Sequence, residues 1–165
     1  MYDSADARRE AIEAIHATPT QIVLVVTGGG ATAMSDLLAV PGASRTMLET
    51  VVPYARTALA DWLDGGDGRV AEHTAEEMAR AALRRARELA DTDAEVEVAG
   101  VASTAALATD RDRRGADRAH LCAVASDGRV LRRALEFDRS DGRAAQEREV
   151  ADAVIALVAA VCEAG

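Results

Sequence analysis

Three consecutive glycines follow a short apolar run near the start of the chain. The run at 21–26 is rich in β-branched residues, which is typical of a strand buried on both faces, and Thr27-Gly28-Gly29-Gly30 ends it before a helical pattern over 31–39. Backbone N–H groups at a helix N-terminus attract anions, and glycine lets a ligand approach the backbone closely. The pattern predicts an anion-binding loop, with a tight turn that only joins strand and helix as the alternative.

This loop differs from the two common glycine-rich phosphate-binding motifs. It lacks the lysine and the serine or threonine of the G-x-x-x-x-G-K-[ST] motif, and no correctly placed glycine completes a G-x-G-x-x-G spacing. A nucleoside triphosphatase or a dinucleotide-binding fold is therefore not supported.

Other polar side chains follow predicted strands, where open α/β sheets place their ligands. Ser103 and Thr104 come after a strand predicted at 95–101, and they are candidates for ligand contact or for capping a turn. Ser35 and Asp36 lie one turn into the helix after the glycines and could supply a nucleophile if they face the pocket. The arginines of the segment 110–118 could hold a phosphate or belong to a solvated loop; they are Arg111, Arg113, Arg114 and Arg118.

Composition narrows the function classes. The 165 residues carry a formal net charge of −9 with 2% aromatic residues, and all 19 basic residues are arginine. Because nucleic-acid binding rests on a basic surface and on aromatic stacking, we expect no nucleic-acid partner.

We also expect no membrane span, since no apolar run approaches about 20 residues. Because the N-terminus is polar, we expect a cytoplasmic protein. Two isolated cysteines predict inert core thiols and no metal site.

The elements that must position these residues alternate between helices and strands. The patterns predict helices over 4–17, 31–39, 54–63, 75–90 and 142–163, and strands over 21–26, 47–52, 95–101, 118–126 and 129–138. Thr74 and Glu77 have the spacing of a capping box, and Asp127-Gly128 suits a two-residue hairpin turn. We therefore expect one domain over 1–165, an α/β three-layer sandwich whose mixed sheet has helices on both faces.

Four short motifs in order resemble a known family. Thr27-Gly28-Gly29, Val40-Pro41-Gly42-Ala43-Ser44, Val51-Val52-Pro53-Tyr54-Ala55 and Gly100-Val101-Ala102 look like the C-terminal domain of the competence/damage-inducible CinA proteins, over about residues 6–162. That family includes nicotinamide-nucleotide amidases. The resemblance implies a three-layer α/β domain that deamidates nicotinamide mononucleotide through a serine nucleophile assisted by lysine and tyrosine.

When the family residues are matched to this sequence one by one, part of the family site is present but its catalytic residues are replaced. The family serine falls on Val25, the glutamate before it on Leu24 and the lysine on Leu59, whereas Tyr54 is kept and Arg143 matches the arginine of the terminal helix. Because valine and leucine carry no nucleophile, the covalent mechanism cannot operate with these residues. The chain resembles a divergent branch of the family.

Three functions follow as hypotheses. The first is a domain that binds a nucleotide or another phosphate-bearing small molecule without amidase activity, with no cofactor and with Arg143 or one of the arginines 111–114 as counter-charge. The second is an active amidohydrolase with chemistry relocated to Ser103, Thr104 or Ser35 near Tyr54. The third is a non-catalytic interaction module, and a homo-oligomer is compatible with each. The predicted ligand-binding residues are Thr27, Gly28, Gly29, Gly30, Tyr54, Ser103, Thr104 and Arg143.

Overall fold

A five-stranded sheet forms the centre of the molecule. The computed structural model describes residues 2–63, 65, 68–90, 96–110 and 115–163. The elements in chain order are α1 (Ala5–His16), β1 (Gln21–Thr27), α2 (Ala31–Ala39), α3 (Ala43–Thr46), β2 (Met47–Val51), α4 (Arg56–Trp62), α5 (Glu72–Leu89), β3 (Val98–Ala106), β4 (Asp117–Ala125), β5 (Val130–Phe137), a 3-10 turn (Arg139–Asp141) and α6 (Gly142–Glu163).

The sheet is mixed, as predicted. Its strand order is β2-β1-β3-β4-β5, with β1 parallel to β2 and β3, and with β4 antiparallel to both of its neighbours. The strand β1, between β2 and β3, is apolar on both faces because each face is covered by helices. The expected α/β three-layer architecture is confirmed.

Two separate apolar clusters fill the two interfaces between sheet and helices. One lies between the sheet and α1, α2 and α6, and includes Leu24 and Val26 of β1. The other lies between the sheet and α4 and α5, and includes Val23 and Val25. The side chains of β1 therefore alternate between the two clusters, as the two-residue period of a strand requires.

The helix α5 lies unusually near its strand at Gly100. A Cβ added there would lie 2.1 Å from the carbonyl oxygen of Ala79 and 2.2 Å from the amide nitrogen of Leu83. Glycine is thus required at this position by the backbone of α5. Among the residues that the structure describes, no helix has the length and apolar character needed to cross a lipid bilayer.

Three local predictions need correction. The helix α5 begins at Glu72 and its N-cap is Ala71, so Thr74 is buried inside the first turn and the predicted capping box is wrong. The strand β3 extends to Ala106, well beyond 101, because β1 and β4 pair with it on both sides. The hairpin loop has three residues, 126–128, because Ala125 bonds Arg129 across it.

Candidate functional site

A pocket of about 200 Å³ opens at the carboxyl ends of β1 and β2. This loop pocket is lined by Val26, Gly28, Gly29, Ala31, Val52, Tyr54, Arg143 and Glu147. The fold therefore brings together four of the residues that the sequence predicts for a ligand site: Gly28, Gly29, Tyr54 and Arg143. Open α/β sheets place ligands at this position, outside the carboxyl ends of their strands.

The backbone of the loop depends on glycine at Gly28. This residue has a φ of +78°, and a Cβ added to it would lie 1.8 Å from the carbonyl oxygen of Ala105. Any larger residue would meet both a strained backbone and the end of β3. Gly28 thus lets the loop after β1 pack directly on β3, which shapes the floor of the pocket.

Arg143 joins the loops that follow the two parallel strands β1 and β3. Its Nη2 donates to the carbonyl oxygen of Gly28 at 3.2 Å, and its Nη1 donates to that of Ala108 at 3.1 Å. The side chain is exposed, and each terminal nitrogen of a guanidinium carries a second N–H. Arg143 therefore holds the loop and still presents donors toward the pocket.

Glu147 is a residue of the site that the sequence reasoning missed. Its Oε2 accepts from the amide of Gly30 at 2.8 Å, and its Oε1 accepts from the amide and the hydroxyl of Thr32, both at 3.0 Å. The amides of Gly30 and Thr32 are therefore hydrogen-bonded to Glu147. This corrects the expectation that they are free to bind an external anion. The spacing of Glu147, one helical turn after Arg143, was the signal available in the sequence.

Two more contacts position α6 over the site. Buried Gln146 accepts from the amide of Ala108 at 2.7 Å and donates to a carboxylate oxygen of Asp117 at 3.0 Å. It also donates to the carbonyl of Asp138 at 3.1 Å. This side chain connects α6 to the loop after β3 and to β4, and sequence periodicity gives no sign of such a role for a glutamine.

An ionic network fixes the middle of α6 to the helices beside it. Asp152 is buried and accepts from Nε of Arg8 at 2.8 Å and from Nε of Arg148 at 3.1 Å, and Arg148 pairs with Asp36 at 2.8 Å. Burial acts to raise the pKa of Asp152, but the bond from Arg8 and the amide of Tyr2 outweigh it, so this pKa lies below its usual value. Asp36 is thus engaged in the network.

Thr27 and Tyr54 have different surroundings. The hydroxyl of Thr27 is buried and donates to the carbonyl oxygen of Pro53 at 3.0 Å, so it ties the end of β1 to the segment after β2. Tyr54 follows Pro53, and 67% of its surface is exposed at the rim of the pocket. Thr27 therefore supports the position from which Tyr54 projects.

Ser103 and Thr104 lie inside β3 and are fully buried. This corrects their predicted position after the strand, because pairing with β1 and β4 continues β3 to Ala106. The hydroxyl of Ser103 lies 3.6 Å from the place that a Cβ on Gly30 would take, whereas neither residue lines the loop pocket. Within the described part of the chain, neither hydroxyl has a hydrogen-bond partner.

Val25 and Leu59, which the sequence resemblance aligns with the family serine and lysine, lie in the apolar cluster below α5. Val25 is completely buried, Leu59 is 4% exposed, and both belong to one cluster with Met78. Ser35 is exposed on α2 and does not line the loop pocket. Of the arginine-rich segment, Arg111, Arg113 and Arg114 lie outside the described residues, and Arg118 donates to the carbonyl of Val70.

Known proteins support the same architecture. A sequence model of the CinA C-terminal domain matches residues 8–161. The competence/damage-inducible protein CihA of Agrobacterium tumefaciens is similar in structure, with a TM-score of 0.74, 19% identity and coverage of 98% of both chains. A CinA superfamily protein of Escherichia coli gives a TM-score of 0.66 and 16% identity, over 96% of this chain and 88% of that one. No curated protein sequence matches.

Proposed function

This chain belongs to the CinA C-terminal domain family, and we propose that it binds a nucleotide-type small molecule in the loop pocket without the amidase chemistry. The observation that carries the proposal is that the carboxyl end of β1 borders both an open pocket and a closed apolar cluster. The pocket is open and keeps Tyr54 and an arginine at its rim, whereas the positions of the family nucleophile and lysine are filled by packed apolar side chains.

Loss of the chemistry is supported by burial as well as by residue type. Val25 and Leu59 have no proton to exchange and no lone pair to attack a carbonyl carbon. Both are closed off from solvent in the cluster below α5. A water molecule or an amide substrate therefore has neither a nucleophile nor an approach at these two positions.

Ligand binding is supported by the shape and the lining of the pocket. Tyr54 offers an exposed aromatic ring on which a base can stack, a contact worth about 1–3 kcal/mol per base in other proteins. Arg143 offers N–H donors to a phosphate at the rim. Gly28 and Gly29 leave the floor of the pocket free of side chains.

An amidohydrolase with relocated residues has less support. Ser103 and Thr104 are fully buried in β3, and Ser35 lies away from the pocket lining. None of the three hydroxyls is thus placed beside Tyr54 where a bound amide would be attacked. The interaction module remains an outcome of the test below.

A thermal-shift panel tests the proposal. Nicotinamide mononucleotide, other nucleoside monophosphates, the matching nucleosides and dinucleotides are added to the protein, and any hit is followed by an ammonia assay. We expect at least one nucleotide to raise the melting temperature, because a ligand that binds only the folded state stabilises it. Tyr54→Ala should abolish most of that rise, whereas Leu38→Ala, an exposed apolar control, should keep it. A panel without any shift, together with a mass that depends on concentration, would instead support the interaction module.

A further inference from the structure

The N-terminus of α2 presents three hydrogen-bond donors beside the loop pocket, whose lining includes Ala31 and Glu147. They are the amide of Gly30, the amide of Thr32 and the hydroxyl of Thr32, and we name them the α2 cradle. One carboxylate, that of Glu147, accepts from all three at 2.8–3.0 Å. Its two oxygens divide the donors between them, as two oxygens of a bound phosphate would.

A buried hydroxyl beneath the loop gives a second reason to regard this place as a polar site. Ser103 is completely buried, and its Oγ has no partner within the described residues. It lies 3.6 Å from the place of a Cβ on Gly30, which Val150 and Val154 also border at 3.0 and 3.4 Å. Buried hydroxyls are normally bonded, so an unpartnered hydroxyl beneath Gly30 marks this end of the loop as a polar place that Glu147 alone does not satisfy.

Glu147 is held in place by its own helix. Buried Gln146 bonds the loop after β3, Arg143 bonds Gly28, and Asp152 ties α6 to α1. The carboxylate therefore reaches the cradle without the loss of translational freedom that an external anion incurs on binding. A phosphate entering the cradle would also have to approach a carboxylate of like charge.

We infer that Glu147 is a built-in anion that fills the α2 cradle and keeps ligand phosphate out of it, which makes it the residue that decides the charge specificity of the loop pocket. This deepens the proposed function and rests on it for the assignment of the pocket to a nucleotide-type ligand. The phosphate of such a ligand then stays at the rim beside Arg143. Removal of the Glu147 carboxylate opens the cradle to small anions, namely phosphate or acetate.

Small anions test this without any nucleotide, so the outcome is independent of nucleotide binding. Melting temperatures of the wild type, Glu147→Ala and Glu149→Ala are measured in sodium phosphate or sodium acetate against sodium chloride of equal ionic strength. Glu149→Ala is a matched control, because this substitution removes the same charge from the same helix two residues away. We expect Glu147→Ala to melt lower in chloride and to regain about 3–6 °C at tenfold saturation with phosphate or acetate, with no such gain for the other two proteins.

Two results would overturn the inference. One is equal stabilisation of the wild type and Glu147→Ala by phosphate, which would mean that Glu147 does not exclude it. The other is a folded Glu147→Ala that gains nothing from either anion, which would mean that the cradle has no affinity for anions.

The ¹⁵N-labelled wild type provides a test that needs no variant. The amide signals of Gly30 and Thr32 should stay still when inorganic phosphate is added at neutral pH. Saturable movement of these two amides with phosphate at neutral pH would contradict the inference.

Discussion

The carboxyl end of β1 lies between a closed apolar cluster and an open pocket. On the side of α5, Val25 and Leu59 are packed in an apolar cluster that solvent does not reach. Just after the same strand, three residues beyond Val25, Gly28 lines an open pocket together with Tyr54 and Arg143. Within a few residues the chain thus passes from a closed apolar cluster to an open pocket, so dense packing on one side of β1 leaves the neighbouring cleft open.

The closed side should be the more sensitive to loss of volume. Leu59→Ala removes buried methyl groups and leaves a cavity in the cluster that contains Val25, so we expect the free energy of unfolding to fall by about 2–5 kcal/mol. Chemical denaturation measures this. Leu38→Ala, at a leucine that is 53% exposed, should change it by less than about 0.5 kcal/mol. Equal effects of the two changes would mean that the cluster below α5 is not closed.

The loop should be sensitive to added volume instead. Gly28→Ala places a Cβ against the Ala105 carbonyl, a clash that we expect to cost about 1–3 kcal/mol, in addition to about 1–2 kcal/mol for the left-handed backbone. Gly128→Ala separates the two contributions, because Gly128 has a φ of +95° with nothing within 4 Å. Denaturation curves of the two variants should differ by the clash alone. If they coincide, the loop does not rest on β3.

The open side depends on α6 for its position, and acid should weaken that support. Because the pKa of Asp152 is lower in the folded protein than in the unfolded chain, its charge stabilises the fold above the unfolded-state pKa of about 3.9. This stability is lost as the pH falls through the lower, folded-state pKa. Asp152→Asn should therefore flatten the dependence of stability on pH below about pH 4, whereas Asp3→Asn, at an exposed carboxylate, should not. An unchanged acid-unfolding profile for Asp152→Asn would contradict this role.

The smallest effect on stability should come from the pocket rim. Tyr54→Ala removes a side chain that is 67% exposed, so we expect a change of less than about 0.5 kcal/mol in the free energy of unfolding. The same change should weaken nucleotide binding about tenfold, if the ring stacks on the base. Isothermal titration calorimetry beside denaturation separates the two. A large loss of stability with unchanged affinity would place Tyr54 in the fold rather than in the site.

The sequence predicts the elements whose signals are local. The apolar run at β1, its end at Thr27-Gly28 and the helix 31–39 follow from residue type and spacing, and they agree with the structure. The last half of β3 was missed because its Ala, Ser and Thr residues carry no strand pattern, and pairing with β1 and β4 decides their conformation.

The candidate site could be predicted in part for the same reason. Gly28, Gly29, Tyr54 and Arg143 carry a family pattern, and the fold brings them to one pocket. Glu147 could not be placed, because its role depends on α6 meeting a loop 117 residues earlier in the chain. Its spacing from Arg143 puts it on the same face of α6, but the sequence does not show which loop that face meets.

One experiment tests the central claim, that the pocket binds a nucleotide while the amidase chemistry is absent. The protein is mixed with nicotinamide mononucleotide, and one series of proton NMR spectra follows both saturation transfer from protein to nucleotide and the conversion of the nicotinamide ring. We predict saturation transfer that Tyr54→Ala weakens, with no nicotinate mononucleotide formed. Formation of nicotinate mononucleotide that survives alanine at Ser35, Ser103 and Thr104 would show that Val25 and Leu59 are wrongly assigned, and absence of transfer would contradict binding.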